Sequence, residues 1–508
     1  KDIMVNAYNT GKAVAVMTKG LDVSGVTISS NIVPTESFYL TEAYVGTNAV
    51  LKSLKGNVTV KAADFAEAES KVDGDSIGIL VSADKKYAEN KVTQTVKTEI
   101  KDNATVEAYK NLTVLAESNA KMYADTYAKQ GGMFSGGTLQ AYNTLKRDVD
   151  TIVESGTSLF ADFGELNVKA IAGQLDDIYT SADGDGKGLA AVGKVKAQTN
   201  LDIDADVTVD TGANIKNTFG KINIIAEAGS ASVKTIGDFD AGGLVALPET
   251  RAFASNVDLH ANVSIGAESG TAGEIRGKNI DVKAQTGKLY VYNYTYAITK
   301  GLGGSAEAYS HATLNQDMKV TIDNVIIKAY DKLIVKSNAT PTNGGKNIDL
   351  YAETIIKAFA GWIKSEANLY GSSNSKVDIK DGADIAGADV RIEAEKFNGN
   401  VKLDAKGTRK AIASKDEIEE NKLSNQESVS VASGVIFRIS DAAPGIAIDI
   451  YKDDSGNVQV RHVGMPGEVC TNRISGDTVT ILSDIRNNKA GKLTNRLKNL
   501  HPNKGVTG

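Results

Sequence analysis

The chain has 508 residues, with 57 Lys and Arg against 63 Asp and Glu and a net charge of −6. That balance, without a basic cluster, argues against a nucleic-acid partner, whose phosphates need concentrated cations. A single cysteine, Cys470, excludes a disulfide scaffold, and four scattered histidines (His260, His311, His462, His501) do not make the local ligand pairs of a structural zinc site. Mean hydropathy is −0.20, and no apolar run approaches the ~20 residues of a membrane helix. The 49 Gly, 6 Pro and abundant Val, Ile, Thr, Asn and Asp suit many strands joined by Gly/Asn/Asp turns rather than a disordered chain.

The chain opens Lys1-Asp2-Ile3 without an apolar leader and reads as a piece of something longer. From there one unit recurs, apolar-x-apolar-x-Ala. It runs Ile3–Ala7, Val58–Ala62, Leu112–Ala116, Leu166–Ala170, Ile222–Ala226, Ile280–Ala284, Leu333–Ser337 and Val390–Ala394. Successive starts lie 55, 54, 54, 56, 58, 53 and 57 residues apart. A second marker ends at Val45, Ile100, Val153, Val209, Ile265, Ile322 and Ile379, with the same spacing. A fixed long period is the signature of stacked repeats.

Within a repeat, stretches such as 99–116, 208–226 and 378–394 alternate apolar and polar residues over about five positions, the period of a half-buried strand. The remainder is rich in Ala, Ser and Gly, as in 226–246 and 300–312, where small side chains allow stacked backbones to approach closely. The fold expected is all-β, a right-handed parallel β-solenoid (β-helix) of about eight ~56-residue repeats over 1–430, each holding two or three rungs. A β-sandwich needs ~100 residues per domain, and a propeller blade lacks the long Ala/Gly/Ser half. Two segments resist the strand pattern. Leu139, Tyr142, Leu145, Val149 and Ile152 have helical spacing, and 415–427 is charged and helix-prone. Residues 431–508 are expected to be a degenerate repeat or cap, with a hairpin over 446–463 turning at Asp454–Asn457 and a basic, helix-like stretch over 492–500.

The alternating strands, the openings Gly56-Asn57-Val58-Thr59-Val60 and Lys110-Asn111-Leu112-Thr113-Val114, the run Asp102–Ala108 and the segment 434–465 resemble the leukotoxin-like filamentous adhesins. These are bacterial exoproteins of the filamentous haemagglutinin type. The resemblance covers nearly the whole chain. It implies a β-helical rod on the bacterial exterior, secreted by a two-partner pathway with an outer-membrane partner.

Little in the sequence carries chemistry. Asp183-Gly184-Asp185-Gly186 begins like a calcium loop, but the twelfth position is Lys194, so a plain Gly/Asp turn is the simpler reading. Walker and His-Glu-x-x-His motifs are absent. Trp362 stands alone, against a carbohydrate-processing cleft. Tyr290, Tyr292, Tyr294 and Tyr296 share one face of a strand. Facing inward they are the core of one wide rung, the more ordinary case; facing outward they form an aromatic platform for a protein or glycan. The expectation is a non-enzymatic surface filament without cofactor or metal. It would bind a host or bacterial cell-surface protein or glycan, and its open strand edges would favour lengthwise self-association. A cytotoxin fragment and a β-helix polysaccharide lyase are the alternatives.

Overall fold

The computed structural model describes residues 1–18, 22–343, 346–409, 413–421, 424–431, 436–438, 447–452, 458–463, 473–475 and 478–481. Every regular element among them is a strand, and nearly all join one large parallel sheet. The repeat and the sheet register are the same thing. Ile3 lies beside Val58, Val58 beside Leu112, Leu112 beside Leu166, and so on through Ile222, Ile280 and Leu333 to Val390. The second marker stacks identically from Val45 to Ile379.

Each residue therefore pairs with its counterpart one full period later, and one repeat makes one coil. The expected two or three rungs per repeat are wrong. Their premise was short strands, whereas the sides of this coil are long. Leu112–Gly131 runs out, Phe134–Val153 runs back, and Ser158–Ala161 makes a short third side. A 20-residue strand spans ~66 Å, so each coil is a broad, flat loop. The outbound strands stack into one sheet and the return strands into another. Bonds through the core show the two sheets lying back to back. Asn90 Nδ2 donates to the Tyr123 carbonyl at 2.8 Å, Gln94 Nε2 to the Asn119 carbonyl at 3.0 Å, and Thr98 Oγ1 to the Leu115 carbonyl at 2.8 Å. The partner number falls by four as the donor number rises by four, so the two sides run in opposite directions.

Inward positions follow a strict period of two. The column Val60, Val114, Val168, Ile224, Val282, Val335 is fully buried, and each such side chain contributes roughly 1.5–3 kcal/mol on leaving water. The alanine of the repeat forms its own column, Ala62, Ala116, Ala170, Ala226, Ala284. Its small size suits a core bridged by hydroxyls: the Ala62 amide donates to Thr98 Oγ1, and the Ala116 amide to Thr151 Oγ1. At the turn after the return strand, Asn103 (φ 57°) and Gly156 (φ 67°) adopt the left-handed conformation that Asn and Gly tolerate best.

Two sequence expectations fail here. Residues 139–152 lie in the return strand Phe134–Val153, and 415–427 fall largely within the strands Ala413–Asn421 and Ser424–Val431. The first misled because its inward positions include Asn143, Arg147 and Thr151, all fully buried. Polar residues at every second inward site turn a period of two into one of about four. Beyond 430, parallel pairing continues where residues are described: Phe437 lies beside Ile385, Arg473 beside Arg391, and Ile481 beside Val431. The hairpin is present as Ala447–Lys452 antiparallel to Val458–Val463. Its turn at Asp454–Asn457, the stretch 492–500, Cys470 and His501 lie outside the described residues.

Candidate binding surface

The four tyrosines face outward. They alternate with buried Val291, Asn293, Thr295 and Ala297 on the outbound sheet, so they do not fill the core. Along the strand the rings stand face to face in pairs. Tyr290 and Tyr292 are 6.5 Å apart with planes 16° from parallel, and Tyr294 and Tyr296 are 6.5 Å apart at 7°. The next coil adds Tyr351, 6.0 Å from Tyr294, with the Lys402 ammonium 4.9 Å above its ring. In register, Tyr292 lies between Lys234 and Asp349, and Tyr296 between Asp238 and Glu353. Partial burial pushes the Tyr294 hydroxyl up to about 12, with Glu353 and Asp238 adding to the effect. The phenols stay neutral donors, and the patch offers ring faces beside charges of both signs. Two coils towards the amino terminus, Tyr123 and Tyr179 stack at 5.1 Å and 8° in the same outer column as Tyr292.

A second aromatic run lies on the return sheet. Tyr87 and Tyr142 are 5.2 Å apart, and the Lys196 ammonium sits 5.3 Å from Tyr142 and 5.7 Å from Phe253. Phe253 stacks on His311 at 5.3 Å; His311 meets Tyr309 and Tyr370 edge-on at 6.0 Å; Arg251 lies 5.1 Å over Tyr309. Burial pushes Lys196 below the usual lysine range, and Arg251 lowers it further. The residues of this run were missed in the sequence because they are a full period apart. Aligning whole repeats, as opposed to scanning along one strand, would have brought them together.

Asp183 and Asp185 lie in the strand Asp177–Lys187, not in a turn. Their side chains point outward, while Gly184 and Gly186 point in. A Cβ on Gly184 would come within 2.6 Å of the Phe239 ring and one on Gly186 within 3.2 Å, and one on Gly193 would overlap it. The glycines make room for the largest aromatic in the core. Asp183 lies beside Asp238, whose carboxyl burial pushes up to about 7 with help from Asp183 and Asp240. Among the described residues no three His, Cys, Asp or Glu side chains are grouped to hold a metal. Trp362 is exposed on the return side, and His260 lies outward in a strand.

The core also holds an ion pair. Arg147 makes two bonds to Asp176, at 2.9 and 3.0 Å, and two to Gln94 Oε1, with neither charged side chain exposed. Asp176 further accepts from the Ala120 amide and Ser230 Oγ. Every acceptor of the Asp176 carboxylate is used, and the network takes in residues of four successive repeats, which suits a register lock better than a reactive centre. Comparison of the chain with protein-family models, curated proteins and solved structures gives no match.

Proposed function

We propose that this chain is a segment of an extracellular bacterial surface rod of the filamentous-adhesin type. Its outward aromatic faces would contact a protein or glycan on a host or neighbouring cell. The reading includes right-handed winding, as parallel crossovers favour, about eight repeats, and export by a two-partner route through an outer-membrane partner. It assigns the chain no enzymatic activity. The observation that supports it best is the unbroken in-register stacking from Ile3 to Val390. The chain spends its repeats on an extended surface, and two of the outward runs on that surface are aromatic.

The test is binding of the labelled protein to epithelial and blood cells, scored together with lysis, for wild type and for a variant with Tyr290, Tyr292, Tyr294 and Tyr296 all changed to Ser. Saturable binding without lysis, lost in the variant, is the expected outcome. Lysis would favour the cytotoxin reading. New unsaturated ends on acidic polysaccharides in calcium would favour the lyase.

A further inference from the structure

Each coil turns from the outbound to the return sheet at a glycine-rich corner, and the side chain left outside there is large and apolar. In chain order these are Leu80, Met133, Leu189, Leu244, Leu302 and Phe359, from 41% to 63% exposed. They form one line. The Met133 amide donates to the Ile79 carbonyl, the Ala190 amide to the Met133 carbonyl, and the Val245 amide to the Leu189 carbonyl. Register continues the line, with Gly301 and Gly303 beside Gly243 and Val245, then Ala358 and Ala360 beside those.

The adjoining column explains the pattern. A Cβ on Gly188 would collide with the Gly132 carbonyl, one on Gly243 with the Gly188 carbonyl, and one on Gly301 with the Gly243 carbonyl. Backbones stack through the glycines, and the next residue carries the side chain that stands out from the tip. With Phe134, Val245 and Trp362 beside it, the ridge exposes on the order of 1,000 Å². The largest apolar patch of an ordinary monomer is ~300–600 Å², and each partner in a standard interface buries ~800 Å².

The ridge runs along the stacking direction at the outer tip of the coils, with one side chain every ~4.8 Å. A globular partner would need a long matching groove, and an anionic membrane would need a basic rim, whereas the flanks alternate in sign: Lys187 pairs with Asp185, and Lys194 with Glu249. A second copy of the ridge has the same spacing and length. We propose that two copies of this chain associate side by side along this ridge, antiparallel, about a two-fold axis between Leu189 and Leu244. The flanking charges set the direction. Parallel pairing brings the outbound flank of one copy to the return flank of the other at equal height, setting Lys187 towards Lys194, Asp240 towards Glu249 and Lys357 towards Lys364. Antiparallel pairing sets Lys194 towards the partner's Glu249 on both sides of the axis; on the outbound flank Asp185 and the partner's Asp240 come level, each already paired with its own lysine, Lys187 and Lys300. A two-fold contact is closed, so association through the ridge stops at two chains.

Light scattering over a concentration series tests this. The expected mass is twice the 53.5 kDa of the chain, falling to a single chain in Leu244→Glu/Leu302→Glu with an unchanged circular dichroism spectrum. In a Cys470→Ser background, Leu189→Cys mixed with Leu244→Cys gives an oxidised dimer, and either alone does not. A wild type that stays monomeric, association that survives the glutamates, or cross-linking by Leu189→Cys alone overturns the proposal.

Discussion

Single residues in this chain are read by what stacks on them. Gly184, Gly186 and Gly193 have no turn to make; they surround the Phe239 ring of the next coil. Gly193→Ala, whose nearest contacts are all to the Phe239 ring, should therefore lower the melting temperature through overpacking worth ~1–3 kcal/mol, and should cost little when Phe239 is Leu. Equal losses in both backgrounds, measured by thermal melts, would show that ring and glycine are independent. The Asp-Gly-Asp-Gly run misled because the residue that needs those glycines lies a full period away. Long separations likewise hid Arg147, whose partners Gln94 and Asp176 lie 53 and 29 residues off, about one period and half of one. The repeated valines and the alanine column were legible, since each recurs at its own address. The tyrosine row was legible as a row, but its direction was not, because alternation says which residues share a face and leaves open which face is wet.

At the level of the strand, parallel in-register stacking sets like beside like, for better and worse. Opposite charges form rungs between coils, as in Lys61–Glu117 at 2.6 Å, Lys216–Glu274 at 2.8 Å and Lys221–Asp281 at 2.8 Å. Elsewhere carboxylates meet: Asp148 lies beside Asp204, and Asp150 beside Asp206. Burial, reinforced by these neighbours, pushes Asp150 up to about 6 and Asp206 to about 7, while Lys97 opposes the first and His260 the second. An unfolded Asp titrates near ~3.9. Between that value and about 7 the folded chain holds more protons than the unfolded one, so these groups favour folding at low pH and lose that contribution as pH rises through their folded values. Asp206→Asn with Asp238→Asn should melt above wild type at pH ~8, with the gap closing towards pH ~4. A gap that is constant with pH would exclude like-charge stacking as its cause. The sequence showed the charges but not their neighbours, because sheet register links residues 53–58 apart and the stretch between them reads as ordinary polar surface.

For the whole molecule, the period was plain and its meaning was not. Gly, Ser, Asn and Asp inside the long strands looked like turns and broke each side into short pieces, so a single wide coil was taken for several small ones. The actual proportions have a mechanical consequence. Backbone hydrogen bonds run along the rod, so a pull on its two ends opens them one after another, like a zipper. A coil adds only ~4.8 Å to the length of the rod, yet its ~55 residues pay out ~180–200 Å of slack once detached. Force spectroscopy on the tethered chain should show steps of that size, and steps of half or a third would contradict one coil per repeat. Under load, a short stiff stalk would become a long tether at modest force, lengthening about fortyfold coil by coil before either anchor has to let go.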